Sequence, residues 1–195
     1  MIELRLWGVD FRLSLLFPAS VVLLVTLDTT GLVEWCLLAS IMHEIGHFIM
    51  LMIFRCRPKQ IVVSVFGIRV EQKQNSKLSF IQNMWVSLAG PIVNLFTFSL
   101  LWLLEYRNMI AFIHLTLGIF NLLTIEPLDG GQALLNILYQ YIDANRAEKI
   151  VTVVSVCTLL PVAFLGFFLL IVSGYNFTLL TIALYLGLLL LFKKR

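Results

Sequence analysis

From Leu32 to Phe54 the chain is almost wholly apolar, yet the middle of that run reads His43-Glu44-Ile45-Gly46-His47. A run of this length and character is a membrane-spanning helix. Two histidines four residues apart share one face of such a helix and can grip one metal ion. The glutamate beside the first can hold a water against that ion and take its proton. Ionisable groups are costly inside a bilayer, so the cluster marks a functional site.

The rest of the chain fits a membrane setting. Apolar residues make up 60% of the 195 and charged residues 13%, against roughly 45–50% and about 25% in soluble domains. This is an integral membrane protein, and residues 1–195 read as one domain. A net charge of +3 is too small to suggest nucleic acid as a partner. Met1–Arg12 is mixed in character and the apolar run after it lacks a small-residue cleavage site, so no cleavable leader is expected. Cys36 and Cys56 lie about 30 Å apart along one helix, too far for a disulfide, and Cys157 sits in another apolar stretch.

The expected fold class is an all-α membrane protein with six transmembrane helices and short membrane-associated β-strands or a hairpin near the cytoplasmic face. The spans run over Leu13–Leu27, Leu32–Phe54, Phe80–Leu104, Met109 onward, Ile150–Val172 and Phe177–Phe192. Met1–Arg12 alternates loosely around Gly8, and Gln60–Gln72 is β-branched around Gly67; both suit strands. Lys73–Lys77 reads as a polar loop and Ile142–Lys149 as a charged one. The fourth span loses helical character at Thr124–Gly131, where Pro127, Gly130 and Gly131 surround Asp129. Such a break is tolerated where it lines a cavity or is buried in protein.

Six spans place every Lys and Arg but Arg107 on one side, 13 of the chain's 14. By the positive-inside rule both termini are cytoplasmic. His47 then lies about 12 Å and His43 about 18 Å from the cytoplasmic end of its helix, within a hydrocarbon core of about 30 Å.

Two histidines leave a catalytic zinc short of a third protein ligand. Asp129, Glu126 and His114 are the candidates at similar depth. Asp129 is favoured, because the broken backbone can turn a short carboxylate inward. Ser87-Leu88-Ala89-Gly90-Pro91 and Asn94 allow either close helix packing or a functional role. Asn121 can bond a substrate backbone or cap the breaking helix. Thr124 and Glu126 are candidates for a polar path that brings water to the site.

HEIGH in the second span, SLAGPIVN in the third and NLLTIEPLDGG in the fourth together resemble the site-2 protease family of intramembrane zinc metalloproteases (peptidase M50). The likeness covers roughly residues 1–140. The short six-span form is most similar to the sporulation branch that activates a pro-sigma factor, with no PDZ insertion and no CBS domain within 1–195. The resemblance implies one zinc ion held by His43, His47 and Asp129, with Glu44 as catalytic acid and base. It also implies a substrate-binding region at Asn121 and Pro127, to which Asn94 is assigned as well. Thr124 stands where the family pattern has a proline.

The implied reaction is hydrolysis of a peptide bond in or near a membrane segment of a protein substrate, plausible substrates being a pro-sigma factor or another membrane-tethered regulator. The implied setting is the lipid bilayer of a bacterial cell or forespore, with a membrane inhibitor or regulatory protein as a further partner. The Gln60–Gln72 strand can take the extended substrate by strand addition. The rival reading is a non-enzymatic membrane metal-binding protein or transporter. A transporter would carry ionisable groups through the full depth, whereas this chain concentrates them in one cluster.

Overall fold

The computed structural model describes residues 2–6, 9–14, 16–56, 58–64, 67–72 and 78–192. Gly8, Arg57, the Lys73–Lys77 loop and the terminal Lys193, Lys194 and Arg195 lie outside the described residues. The elements run β1 (Ile2–Leu6), β2 (Val9–Leu13), α1 (Leu16–Leu27), α2 (Leu32–Ile53), β3 (Pro58–Ser64) and β4 (Gly67–Gln72), then α3 (Phe80–Leu103), α4 (Met109–Leu122), α5 (Asp129–Tyr141), α6 (Ala144–Ser173) and α7 (Thr178–Leu191).

The strands form one sheet in the order β1-β2-β3-β4. β1 and β2 pair antiparallel, as do β3 and β4. The seam between the hairpins is parallel, with Asp10 opposite Gln60 and Leu13 opposite Val63. A parallel pair needs a crossover of a dozen or more residues, and α1 with α2 supplies it. At the end of α2, Arg55 takes a φ of 53°. The Cys56 N–H then donates back to Leu51 O at 2.9 Å, a left-handed helix stop that turns the chain toward β3.

Helix starts follow local chemistry. Ser79 and Gln82 form a capping box on α3, satisfying two otherwise free N–H groups. Ahead of α2, the Asp28 carboxylate accepts from the Thr30 hydroxyl at 2.6 Å and from the Val33 and Thr30 N–H groups. Those bonds, the hydroxyl's first, hold it below the usual carboxylate range.

Alanines recur through the interior, alongside Ile125, Val151 and Leu135, while many of the largest apolar side chains lie on the exterior. Ala39, Ala89, Ala111, Ala133, Ala147 and Ala183 are buried, whereas Phe96, Leu103, Phe164 and Leu191 are exposed. That inversion suits a lipid exterior, where helix contacts rest on close packing of small residues rather than on the hydrophobic effect. A Cβ on Gly46 would lie 2.7 Å from Ala89 O, so α2 and α3 meet almost backbone to backbone. α3 packs on α2, α4 and α5, and α6 packs on α5 and α7.

Helices α2, α3 and α6 are long and apolar enough to cross a membrane, at 22, 24 and 30 residues. α1, α4 and α7 are apolar but shorter, at 12, 14 and 14 residues.

Two boundaries differ from expectation. The stretch 142–149 is not a loop: α6 begins at Ala144, with Asp143 accepting from the Arg146 N–H at 3.1 Å. An N-cap aspartate ahead of good helix formers starts a helix despite the charges. The break after α4 is also shorter than expected, because Gly130 and Gly131 lie inside α5. A Cβ on Gly130 would strike Leu122 O, and one on Gly131 would strike Ile125 O. These glycines permit close approach of the loop rather than breaking the helix.

Candidate metal centre

His43 and His47 sit one turn apart in α2, their ring centroids 4.8 Å apart and their planes at 81°. Their Nε2 atoms lie 3.1 Å from each other. The third member comes from a distant part of the chain. The loop 123–128 turns back after α4 and restarts the helix at Asp129, in whose first turn a carboxylate is favoured by the helix dipole. Asp129 Oδ2 lies 2.9 Å from His43 Nε2 and 3.4 Å from His47 Nε2.

Donor atoms of the three residues lie within 4.8 Å of one another, and among the described residues no other group of His, Cys, Asp and Glu gathers in this way. Asp129 Oδ2 is buried, and its polar neighbours are the two imidazole Nε2 atoms. Three converging lone pairs repel unless a proton or a cation lies between them. Two imidazoles and a carboxylate are the donor set that catalytic zinc takes, with one position left for water. The residues therefore fit the metal that their spacing implies.

The orientation of each ring is controlled from behind. His47 Nδ1 is 2.7 Å from Val86 O, so Nδ1–H donates to that carbonyl and the Nε2 lone pair faces the cluster. His43 Nδ1 is 3.1 Å from the Asn94 side-chain amide, whose other end is 3.1 Å from His114 Nδ1. Gly90 forms the near wall: a Cβ there would strike His47 Nε2 and would lie 2.7 Å from His43 Nε2.

The loop that delivers Asp129 is tied down on both sides. The Glu126 N–H donates to Ser155 Oγ on α6 at 2.9 Å, and that hydroxyl donates to Thr124 O at 3.3 Å. Thr124 Oγ1 pairs with Thr158 Oγ1 at 2.9 Å. From α5, Gln132 Nε2 donates to Glu126 O at 2.7 Å.

The other candidates are distributed unevenly. Glu44 follows His43 on α2 and is half-buried, outside the three-residue donor group. Asn121 is half-buried and bonds its own helix at Leu117 O, while Pro127 is exposed in the loop. Asn94 has no exposed surface and spans two histidines instead of facing a groove. Glu126 and His114 are buried but lie outside the donor group. Sequence reasoning missed Ser155 altogether. A lone serine in an apolar helix gives no sign of a partner more than thirty residues away.

Comparison with known proteins gives three findings. The sequence model of peptidase family M50 matches residues 101–162, the segment that contains Asp129. The chain is 27% identical over 129 residues to stage IV sporulation protein FB of Bacillus subtilis, covering 62% of this chain and 45% of that protein. It is 31% identical over 133 residues to a Synechocystis protein named as a zinc metalloprotease, covering 62% of this chain and 35% of that one. The chain thus spans less than half the length of these two relatives. Among solved structures it resembles the site-2 protease of Methanocaldococcus jannaschii, with a TM-score of 0.61 over all of this chain and 95% of that one. At 20% identity that likeness speaks for the fold alone.

Proposed function

We propose that this chain, matched over residues 101–162 by the model of peptidase family M50 and similar in fold to a site-2 protease, is a zinc-dependent intramembrane endopeptidase. One observation carries the reading: donor atoms from two separated helices converge within 4.8 Å of one another. His43, His47 and Asp129 would hold a single zinc ion. When bound, zinc polarises a peptide carbonyl and makes water acidic enough to attack at neutral pH.

The protein's own residues supply the proton transfers. Glu44 takes a proton from the attacking water and delivers it to the leaving amine nitrogen, so that each peptide bond consumes one water. Glu44 has no place in the donor group, so a protein that merely held or carried metal would have no use for it. Asn121 and the exposed Pro127 are the proposed substrate contacts at the mouth of the loop.

A helical substrate must be extended before attack, because its carbonyls are already bonded. Strand addition is the proposed means, but β3 cannot serve. Its Val63 is paired with Leu13 on one side and Ile68 on the other. Within Gln60–Gln72 that leaves β4, which lies at one edge of the sheet.

The proposal further takes residues 1–195 as one protease unit crossing the membrane six times, with its termini on the cytoplasmic side of a bacterial membrane. Its substrate is a membrane-associated regulator of the pro-sigma-factor kind, and a membrane inhibitor or regulatory protein restrains the protease. The test is co-expression with a tagged candidate substrate. Glu44→Gln is expected to keep its metal and lose about 10²–10⁴-fold in cleavage rate. Cleavage unchanged in that variant would sink the proposal.

A further inference from the structure

A histidine that ligates through Nε2 must carry its proton on Nδ1, and the partner of that N–H sets the tautomer. For His47 the partner is Val86 O at 2.7 Å, a carbonyl that can only accept. For His43 the partner is the Asn94 amide, which can present either its oxygen or its NH₂. In the structure Nδ2 faces His43 Nδ1 and Oδ1 faces His114 Nδ1, both at 3.1 Å. That orientation has the amide donating to His43, so the ring proton lies on Nε2, toward Asp129 Oδ2 at 2.9 Å. Turning the amide over exchanges the roles. Oδ1 then accepts from His43 Nδ1–H, Nδ2–H donates to His114 Nδ1, and the His43 Nε2 lone pair is freed.

Asn94 is wholly buried and His114 is 2% exposed. A buried amide satisfied at one end only is costly. His114 meets the end of Asn94 that His43 does not, and the proton it carries decides which end that is. We propose that Asn94 and His114 form a buried relay that sets the tautomer of His43 and so its readiness to bind metal. Asn94 is then a positioning residue rather than a substrate contact. His114, on α4, helps hold a metal that it never touches.

The inference rests on His43 being a metal ligand, and the experiment separates the two ideas. The purified protein in detergent micelles is titrated with Co²⁺, reading its visible absorption band, and Zn²⁺ affinity is taken by competition. Asn94→Leu is expected to weaken metal binding about 10–100-fold and to shift the band. Asn94→Asp, whose carboxylate accepts from Nδ1–H, is expected to stay within a few-fold of wild type. A role in packing alone predicts the reverse, with the apolar near-isostere tolerated and the buried charge not.

Asn94→Leu binding like wild type, or Asn94→Asp binding as weakly as Asn94→Leu, would overturn the relay. If Asn94→Leu does not fold, His114→Phe carries the test: several-fold weaker binding is expected, and unchanged binding overturns the proposal. A wild-type protein that takes up no Co²⁺, or a His43→Ala variant that binds like wild type, removes the metal reading and the relay with it.

Discussion

The α2–α5 group and the α6–α7 pair use small residues for opposite ends. In the first, Gly46 brings α2 against α3 and Gly90 lets two imidazoles approach the α3 backbone; the buried groups of this region include His43, Asn94 and His114. In the second, Gly166 lets α6 meet the backbone of α7 at Leu180, and the buried neighbours there are Ala183 and Leu186. One close contact makes room for polar groups and the other seals an apolar seam. The pair still reaches the site, because Ser155 on α6 holds the loop in front of Asp129. The chemistry therefore belongs to one region, while its alignment depends on both.

That comparison can be broken or sharpened by three substitutions, ranked by effect on metal affinity. Gly90→Ala drives a methyl into both ring nitrogens and is expected to abolish measurable Zn²⁺ binding while the protein remains folded. Retention of wild-type affinity would show that the wall can yield. Ser155→Ala leaves the Glu126 N–H without its acceptor. It should cost about 1–3 kcal/mol in stability, read by thermal melting in detergent, with several-fold weaker Zn²⁺ binding as Asp129 loses its alignment. Melting unchanged would mean that the loop stands without α6.

Gly166→Ala should have no effect on Zn²⁺ affinity. It crowds the α6–α7 seam, where the nearest atom would be Leu180 N at 2.7 Å. The expected cost is about 1–3 kcal/mol of overpacking, again read by melting. Weakened metal binding in this variant would show that the two regions are not separable.

Much of the helical frame is legible in the chain. The apolar run Leu32–Phe54 becomes α2 over Leu32–Ile53, and Phe80–Leu104 becomes α3 over Phe80–Leu103. Lipid-facing helices announce themselves because each residue contributes apolar surface independently of its neighbours. Where charge interrupts the pattern the reading weakens, as at Ala144–Lys149, which a single N-cap aspartate turns into the start of α6. The glycines at 130 and 131 mislead for a related reason. Missing side chains look like a helix break, but here they admit a neighbouring backbone.

For the site, the spacing of His43 and His47 by itself determined that two imidazoles share a helix face, since four residues are about one turn. Composition determined that this face lies in an apolar setting. Between the two candidate carboxylates the backbone break and the family resemblance favour Asp129 over Glu126, but a loop's path is not encoded in periodicity. The tertiary structure alone brought Asp129 Oδ2 to 2.9 Å from His43 Nε2. It alone placed Val86 O behind one ring and the Asn94–His114 pair behind the other. Local spacing dictates which residues share a face, whereas hydrogen bonds between distant segments exist only once the helices have packed.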